Sequence, residues 1–420
     1  MTTACPDCGT LVEMPDTDAA GTTTCPTCRR ALERSAGRNI VAALACSSAT
    51  FMLLWPAILL PLMTTHTLGM HTESSIGSIL PELWNNHWVI LTVLIASFVV
   101  IFPLLRFGLL TIVLAVVHTR WRPPWLGRAF RWAMRLNHWA MNDAFLIGCA
   151  VGYSRVAAFL PTTIEAGGWC MIVVALMTMV TRSALDAPTV WRRIMPDREP
   201  PADGSPVISC SVCNLILPAT SAHESCPRCA MRVSSRKPHA MVRAAAFTIA
   251  GFILYLPANF YPMNVDVQLG AVNEHRIIDG IEELIQAHLW PLAVIIFITS
   301  IGIPAAKLLG MTWLLFSVWT RSRKHLVLKS HVFRVIDEIG HWSCLDPFTV
   351  AVFLPLIQFG ALAHTDAAVG SVAFILVVVC TMFASRDFDM RLVWDAALAP
   401  KRPRRPTFLS LFHPQPRATT

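Results

Sequence analysis

Cys210-Ser-Val-Cys213 and, after a twelve-residue loop, Cys226-Pro-Arg-Cys229 stand at the middle of this 420-residue chain. Each pair sets two thiols on one tight turn, and two such turns bring four soft ligands to a point. That set suits tetrahedral zinc. The same pattern opens the chain as Cys5-Pro-Asp-Cys8 and Cys25-Pro-Thr-Cys28. Redox-active Cys-x-x-Cys motifs rarely come as paired pairs. The eight cysteines are therefore read as two zinc ribbons, each holding one structural ion.

The quartets also announce a repeat. Cys25 and Cys226 are 201 residues apart, as are Pro56 and Pro257, Pro61 and Pro262, His87 and His288, Pro103 and Pro304, and Arg106 and Lys307. The offset then becomes 203: Phe130-Arg131 matches Phe333-Arg334, His138-Trp139 matches His341-Trp342, and Asp143, Asp186 and Trp191 match Asp346, Asp389 and Trp394. A constant offset with one two-residue step is the trace of a duplication followed by a loop insertion.

Composition sets the class. The chain is 54% hydrophobic and 14% charged, against about a quarter charged in soluble domains. Its apolar residues fall in long runs, which predicts an all-α polytopic membrane protein. Eight spans are expected, near residues 40–63, 88–117, 144–160, 169–184, 244–263, 289–319, 348–363 and 370–384. The organisation is a ribbon at 1–37, a four-helix repeat at 38–195, a linker and second ribbon at 196–240, a second four-helix repeat at 241–397, and a basic disordered tail at 398–420. No cleavable leader is expected, because residues 1–37 are polar. Pro56 and Pro61 should bend or unwind the end of the first span, and the long second one should tilt, kink at Pro103 or project into the cytosol. The other five cysteines (Cys46, Cys149, Cys170, Cys344 and Cys380) read as small hydrophobes.

Charge placement gives orientation. Loops 64–86, 161–168 and 364–369 hold no Lys or Arg, and loop 264–288 holds only Arg276. The net charge of +8 lies almost wholly in the other loops, the ribbons and the tail. By the positive-inside rule, both termini and both ribbons are cytosolic. Four spans per copy keep the copies parallel, about an axis along the membrane normal. This placement of charge speaks against nucleic-acid binding. No nucleotide-binding loop, nucleophile elbow or HExxH occurs, so no enzyme chemistry is expected.

The ribbons, the Pro-x4-Pro span end, His341-Trp-Ser-Cys-Leu-Asp346 and Ala384-Ser-Arg-Asp-Phe-Asp389 with Trp394-Asp395 resemble the paraquat-inducible protein A family over nearly the whole chain. The resemblance implies a protein of the Gram-negative inner membrane. It also implies a partner, a periplasm-spanning MCE-domain tube that carries phospholipid between the two membranes. The first copy departs from the motif: Asn142 stands where the second copy has Leu345, and Ala140 where it has Ser343.

Ionisable groups inside spans are costly and mark candidate sites. Ser300, Pro304 and Lys307 share one helix face at i, i+4 and i+7. Ser343 and Asp346 begin the next span, and Thr381 lies near the middle of the last. The five polar groups Ser300, Lys307, Ser343, Asp346 and Thr381 form a candidate transport cleft, able to hold a lipid headgroup or relay protons. The competing reading has Lys307 snorkelling to the interface. The matching first-copy positions are Val99, Arg106, Ala140, Asp143 and Thr178. Asp186 and Asp389 read as helix caps or ion-pair partners of Arg182 and Arg386. Three functions compete: an inner-membrane lipid-transport subunit, a zinc-ribbon redox or stress sensor, and a passive membrane anchor.

Overall fold

The computed structural model describes residues 2–13, 22–34, 39–67, 70–119, 121–157, 161–197, 207–268, 271–286, 288, 290–357 and 363–398. The tail expected to be disordered lies outside them, as do the linker residues 198–206.

The N-terminal ribbon is two hairpins, β1 (Thr2–Ala4) with β2 (Leu11–Glu13) and β3 (Thr22–Thr24) with β4 (Ala31–Arg34). The first membrane half follows. It runs α1 (Ile40–Leu59), β5 (Met63–Thr67), β6 (Met70–Ser74), α2 (Ile76–Asn85), α3 (Val89–Ile95), α4 (Phe102–His118), α5 (Leu126–Leu136), α6 (Asn142–Ala157), β7 (Thr162–Ile164), α7 (Ala166–Ala184) and α8 (Ala187–Ile194). The second ribbon carries β8 (Val207–Ser209) and β9 (Ile216–Pro218). The second half then repeats the order: α9 (Ala240–Phe260), β10 (Asn264–Gln268), β11 (Ala271–His275), α10 (Ile277–Gln286), α11 (Trp290–Ile296), α12 (Ile303–Trp319), α13 (Leu326–Ile339), α14 (Leu345–Ile357), β12 (Ala363–Ala367), α15 (Val369–Asp387) and α16 (Arg391–Leu398).

Among the described residues, six helical stretches are long and apolar enough to cross a membrane: Ile40–Leu59, Val89–His118, Ala166–Ala184, Ala240–Phe260, Ala293–Trp319 and Val369–Asp387. The outward stripe of α9, Ile249, Ile253, Leu256 and Phe260, is open to the surroundings, as a lipid-facing helix requires. The remaining two expected spans correspond to α6 and α14, whose described lengths are 16 and 13 residues. Both begin before the expected starts at 144 and 348. These two helices meet at the junction of the halves. Phe145 packs edge-on against Phe348, with ring centroids 5.7 Å apart. Phe348 is the residue 203 places after Phe145, so each ring touches its own counterpart, the contact a twofold arrangement puts on its axis.

The prolines act locally. Helix α1 passes Pro56 and stops at Leu59. Leu60 is extended, as a residue before proline prefers. In the long second span the expected kink is a π-helical turn over Ala96–Ile101, directly before Pro103. The same turn recurs over Phe297–Gly302 before Pro304. A wider turn accommodates the proline ring and the missing N–H.

The purely helical expectation needs correction on the side away from the ribbons. There β5 pairs with both β6 and β7, and β10 with both β11 and β12, giving two three-stranded antiparallel sheets. Thr64-Thr65 and Asn264-Val265-Asp266-Val267 are short polar and β-branched runs, easily read as loop. The loop at 64–86 also holds α2, which a reciprocal Ser75–Ser78 capping box starts. Its Ile76, Ile79 and Leu83 bury into the bundle at helical spacing. The first turns of α7 and α15 then seat on carbonyls. Gly167 N–H donates to Pro61 at 2.9 Å and Gly370 to Pro262 at 3.0 Å. A Cβ at Gly167 would lie 2.4 Å from the Leu60 carbonyl oxygen, and one at Gly370 2.5 Å from that of Pro262.

The cysteine core of each ribbon packs on one half, and the pairing crosses, while Arg236 beyond the second ribbon also pairs with Asp395 of the second half at 2.6 Å. The N-terminal ribbon packs Cys5, Val12, Cys25 and Cys28 with Met311, Leu314, Ile336 and Trp394 of the second half. Arg334 donates to the Cys28 carbonyl at 3.2 Å and Arg391 to that of Pro6 at 3.2 Å. The second ribbon packs on the first half instead, burying Cys210, Leu215 and Cys226 with Leu110, Phe130 and Trp191. Its Arg228 pairs with Asp197 at 2.7 Å.

Candidate functional site

The metal-binding geometry starts from four repeats of one backbone turn. Gly9, Arg29, Asn214 and Ala230 each follow the second cysteine of a pair and each has positive φ, between 53° and 78°. That bend lets each N–H return to the carbonyl of the first cysteine, at 2.8, 2.9, 3.1 and 2.8 Å. The first cysteine's own N–H is bonded to a residue beyond the turn: Cys5 to Thr10, Cys25 to Arg30, Cys210 to Leu215 and Cys226 to Met231. Thus each turn presents two sulfurs on one side.

The sulfurs then converge. Cys5 and Cys28 are 3.4 Å apart and Cys8 and Cys25 3.5 Å. In the second ribbon Cys210 and Cys229 are 3.5 Å apart and Cys213 and Cys226 3.6 Å. Four sulfurs at about 2.3 Å from a tetrahedral zinc would be roughly 3.8 Å from one another. All ligand sulfurs of each quartet lie within 4.8 Å, and all eight cysteines are free thiols. Hydrogen bonds from neighbouring thiols favour thiolate at Cys8 and Cys226, and disfavour it at Cys5 and Cys213. Both quartets fit a metal ion.

The second cluster is inside the bundle. Lys307 on α12 is 2% exposed. Its Nζ donates to Thr381 Oγ1 of α15 at 2.9 Å, and lies 3.4 Å from Ser343 Oγ and from the Gly340 carbonyl. Ser343 and Gly340 belong to the 3₁₀ turn Gly340–Cys344 before α14. The side chain therefore turns into the bundle rather than out to the interface. Ser300 is fully buried, and its Oγ has no hydrogen-bond partner among the described residues. The Asp346 side chain lies outside the described residues. Of the five expected cleft residues, Lys307, Ser343 and Thr381 are brought together.

The first half differs chemically. Arg106 is 2% exposed and lies with Cζ 4.6 Å from the Phe107 ring centroid. Arg182 pairs with Asp143 at 3.0 Å and also reaches the Ala140 carbonyl. This pair spans two helices and left no sequence signal, because the partners are 39 residues apart. Asp186 stands at the N-cap position of α8 and accepts from the Thr189 hydroxyl. Asp389 accepts from the backbone N–H of Arg391 and of Lys237, each at 3.1 Å. Arg386 lies over the Trp139 ring.

The family model for "Paraquat-inducible protein A" matches this chain twice, over residues 40–195 and 241–397. The chain belongs to the paraquat-inducible protein A family. "Intermembrane transport protein PqiA" of Escherichia coli (strain K12) is 30% identical over 405 residues, 93% of this chain and 95% of that one. "Lipophilic envelope-spanning tunnel protein A" of the same strain is 26% identical, covering 93% of this chain and 91% of its own length. A "probable intermembrane transport protein" of Haemophilus influenzae is 24% identical over 93% of this chain and 95% of its own. No solved structure matches the chain.

Proposed function

We propose that this membrane protein is the inner-membrane subunit of a lipid-transport system. It loads or extracts phospholipid for a periplasm-spanning MCE-domain partner and so maintains the cell envelope. On this reading eight spans form two tandem four-helix repeats, with both termini and both ribbons in the cytosol. The observation that carries it is the Lys307 ammonium, 2% exposed and directed at hydroxyls of two other elements. A charge held at the centre of an apolar bundle costs roughly 2.5–3.5 kcal/mol even on the mildest scale. Such a cost is met where the group has work to do. The two intermembrane-transport relatives point the same way. Lys307, Ser343 and Thr381, with Ser300 and Asp346, would face the phosphate or ester oxygens of a lipid, or pass a proton.

The test is Lys307→Ala in a strain that depends on this protein. Normal membrane levels with lost outer-membrane integrity are expected, and partial activity for Lys307→Arg, which keeps charge but not the compact ammonium. Full complementation by Lys307→Ala would end this reading of the cluster. Copurification with a membrane-anchored MCE protein tests the partner.

The two quartets hold zinc, one ion each, as structural centres that contribute folding energy. Metal analysis of the purified chain should return two zinc per molecule. One, none, or iron in their place contradicts the assignment.

A further inference from the structure

Where the two halves and the two ribbons meet there is a cavity of about 590 Å³, within the size range of small-molecule sites. It belongs to none of the clusters described so far. Seven cationic side chains line it against four carboxylates. Two of the four carboxylates are engaged within the protein. Asp7 is held by Arg30 and Arg334, and Asp389 by two backbone N–H groups. Asp337 lies 3.9 Å from His138.

Arg30 and Arg182 are paired, with Asp7 and Asp143, but three other arginines are not matched in return. Arg131 and Arg135 come from α5 of the first half and Arg386 from α15 of the second. Among the described residues none of the three has a carboxylate ion-pair partner. Among the described residues the buried Nε of Arg131, the Nε of Arg182 and Nη1 of Arg386 have no hydrogen-bond partner, and neither has the buried Asn137 Oδ1. All four residues line the cavity. An orphaned buried guanidinium N–H is costly and rare. Three on one cavity wall, drawn from both halves, point to an acceptor that the protein itself does not supply. Burial, and then Arg131 beside it, hold the Arg135 pKa below its usual value. Like charges crowded in this way favour an anion between them.

We propose that this cavity is a binding site for a phosphate group, held by Arg131 and Arg386 as forked donors from both halves, with the Nε of Arg182 as a further single donor. Arginine forks match phosphate oxygens in pairs, which an isolated ammonium cannot do. The inner end of the cavity includes Gly340, whose carbonyl lies 3.4 Å from Lys307 Nζ. The site thus adjoins the bundle cluster, yet its existence does not depend on what that cluster carries. A phosphate bound here bridges the halves and biases their relative position.

The test uses the full-length protein in phosphatidylcholine nanodiscs. Inorganic pyrophosphate is titrated calorimetrically, and phosphatidylglycerol retained from mixed nanodiscs is counted by native mass spectrometry. Pyrophosphate uptake identifies a soluble phosphate, and retained phosphatidylglycerol alone identifies a lipid headgroup. Either supports the site. Arg131→Gln with Arg386→Gln should weaken the observed binding by about tenfold or more, at unchanged metal content. Arg131→Lys with Arg386→Lys, a milder change to the fold, should lose affinity while keeping charge. Arg128→Gln, an exposed cation outside the cavity, should leave binding alone. If the wild-type protein takes up neither probe, or both double variants bind as it does, the proposal is overturned.

Discussion

At the scale of the residue, the Lys307 ammonium has one short bond and two long ones. Thr381 is thus its principal acceptor. Thr381→Val keeps the shape, removes that acceptor and leaves a buried N–H unmatched, a loss of about 1.5–3 kcal/mol. Thr381→Ser should retain the bond. Thermal unfolding of the two variants in the same detergent should separate them, with serine near wild type and valine clearly lower. Equal midpoints would show that the 2.9 Å contact contributes little. This site was partly legible in the sequence. A lysine well inside a span, on one face with Ser300 and Pro304, is visible in the one-dimensional pattern. The Gly340 carbonyl was not, because a backbone acceptor has no residue-type signature. The Arg182–Asp143 pair was hidden for a related reason: helix packing, not spacing, sets which span ends meet.

At the scale of the element, α5 shows how closely a ribbon can be seated. A Cβ built on Gly127 would lie 1.8 Å from the Arg228 carbonyl oxygen. Only a residue without a side chain lets that backbone lie on the helix. Gly127→Ala should lift the second ribbon from α5, destabilising the chain by roughly 1–3 kcal/mol through lost packing. Thiol labelling should then reach Cys229, which is fully buried in the wild type. Unchanged labelling would mean that α5 itself moves instead. The long apolar helices were legible because a membrane span is a composition signal. The β-sheets and α2 were not, because Thr64-Thr65 and Ser75 are also loop residues and only pairing with β7 or a cap decides their state. The π-helical turns were equally silent: proline marks a disturbance without saying which one.

At the scale of the molecule, the crossed ribbons make the two halves unequal in their supports. Removing residues 1–34 strips cover from α12, α13 and α16, and leaves the second ribbon on α4, α5 and α8 untouched. Hydrogen exchange of the truncated protein should rise in the second half and stay level in the first. A rise in the first half alone would place the ribbon elsewhere. The matching element order of the two halves accords with the constant offsets, but the crossing was not legible, since offsets say which segments are alike and nothing about which ones touch.

The crossing also fixes an order of events during synthesis. The second ribbon follows directly after the half it covers and can settle as it emerges. The first ribbon must wait for Arg391, 385 residues beyond its contact at Pro6. At about 5–20 residues per second, that interval is roughly 20–80 s. During it the first ribbon stands without its seat, and a bound ion would keep so small a hairpin pair folded. The first ribbon is thus the last to be seated, and a metal ion held by its four cysteines would keep it ready until its seat arrives.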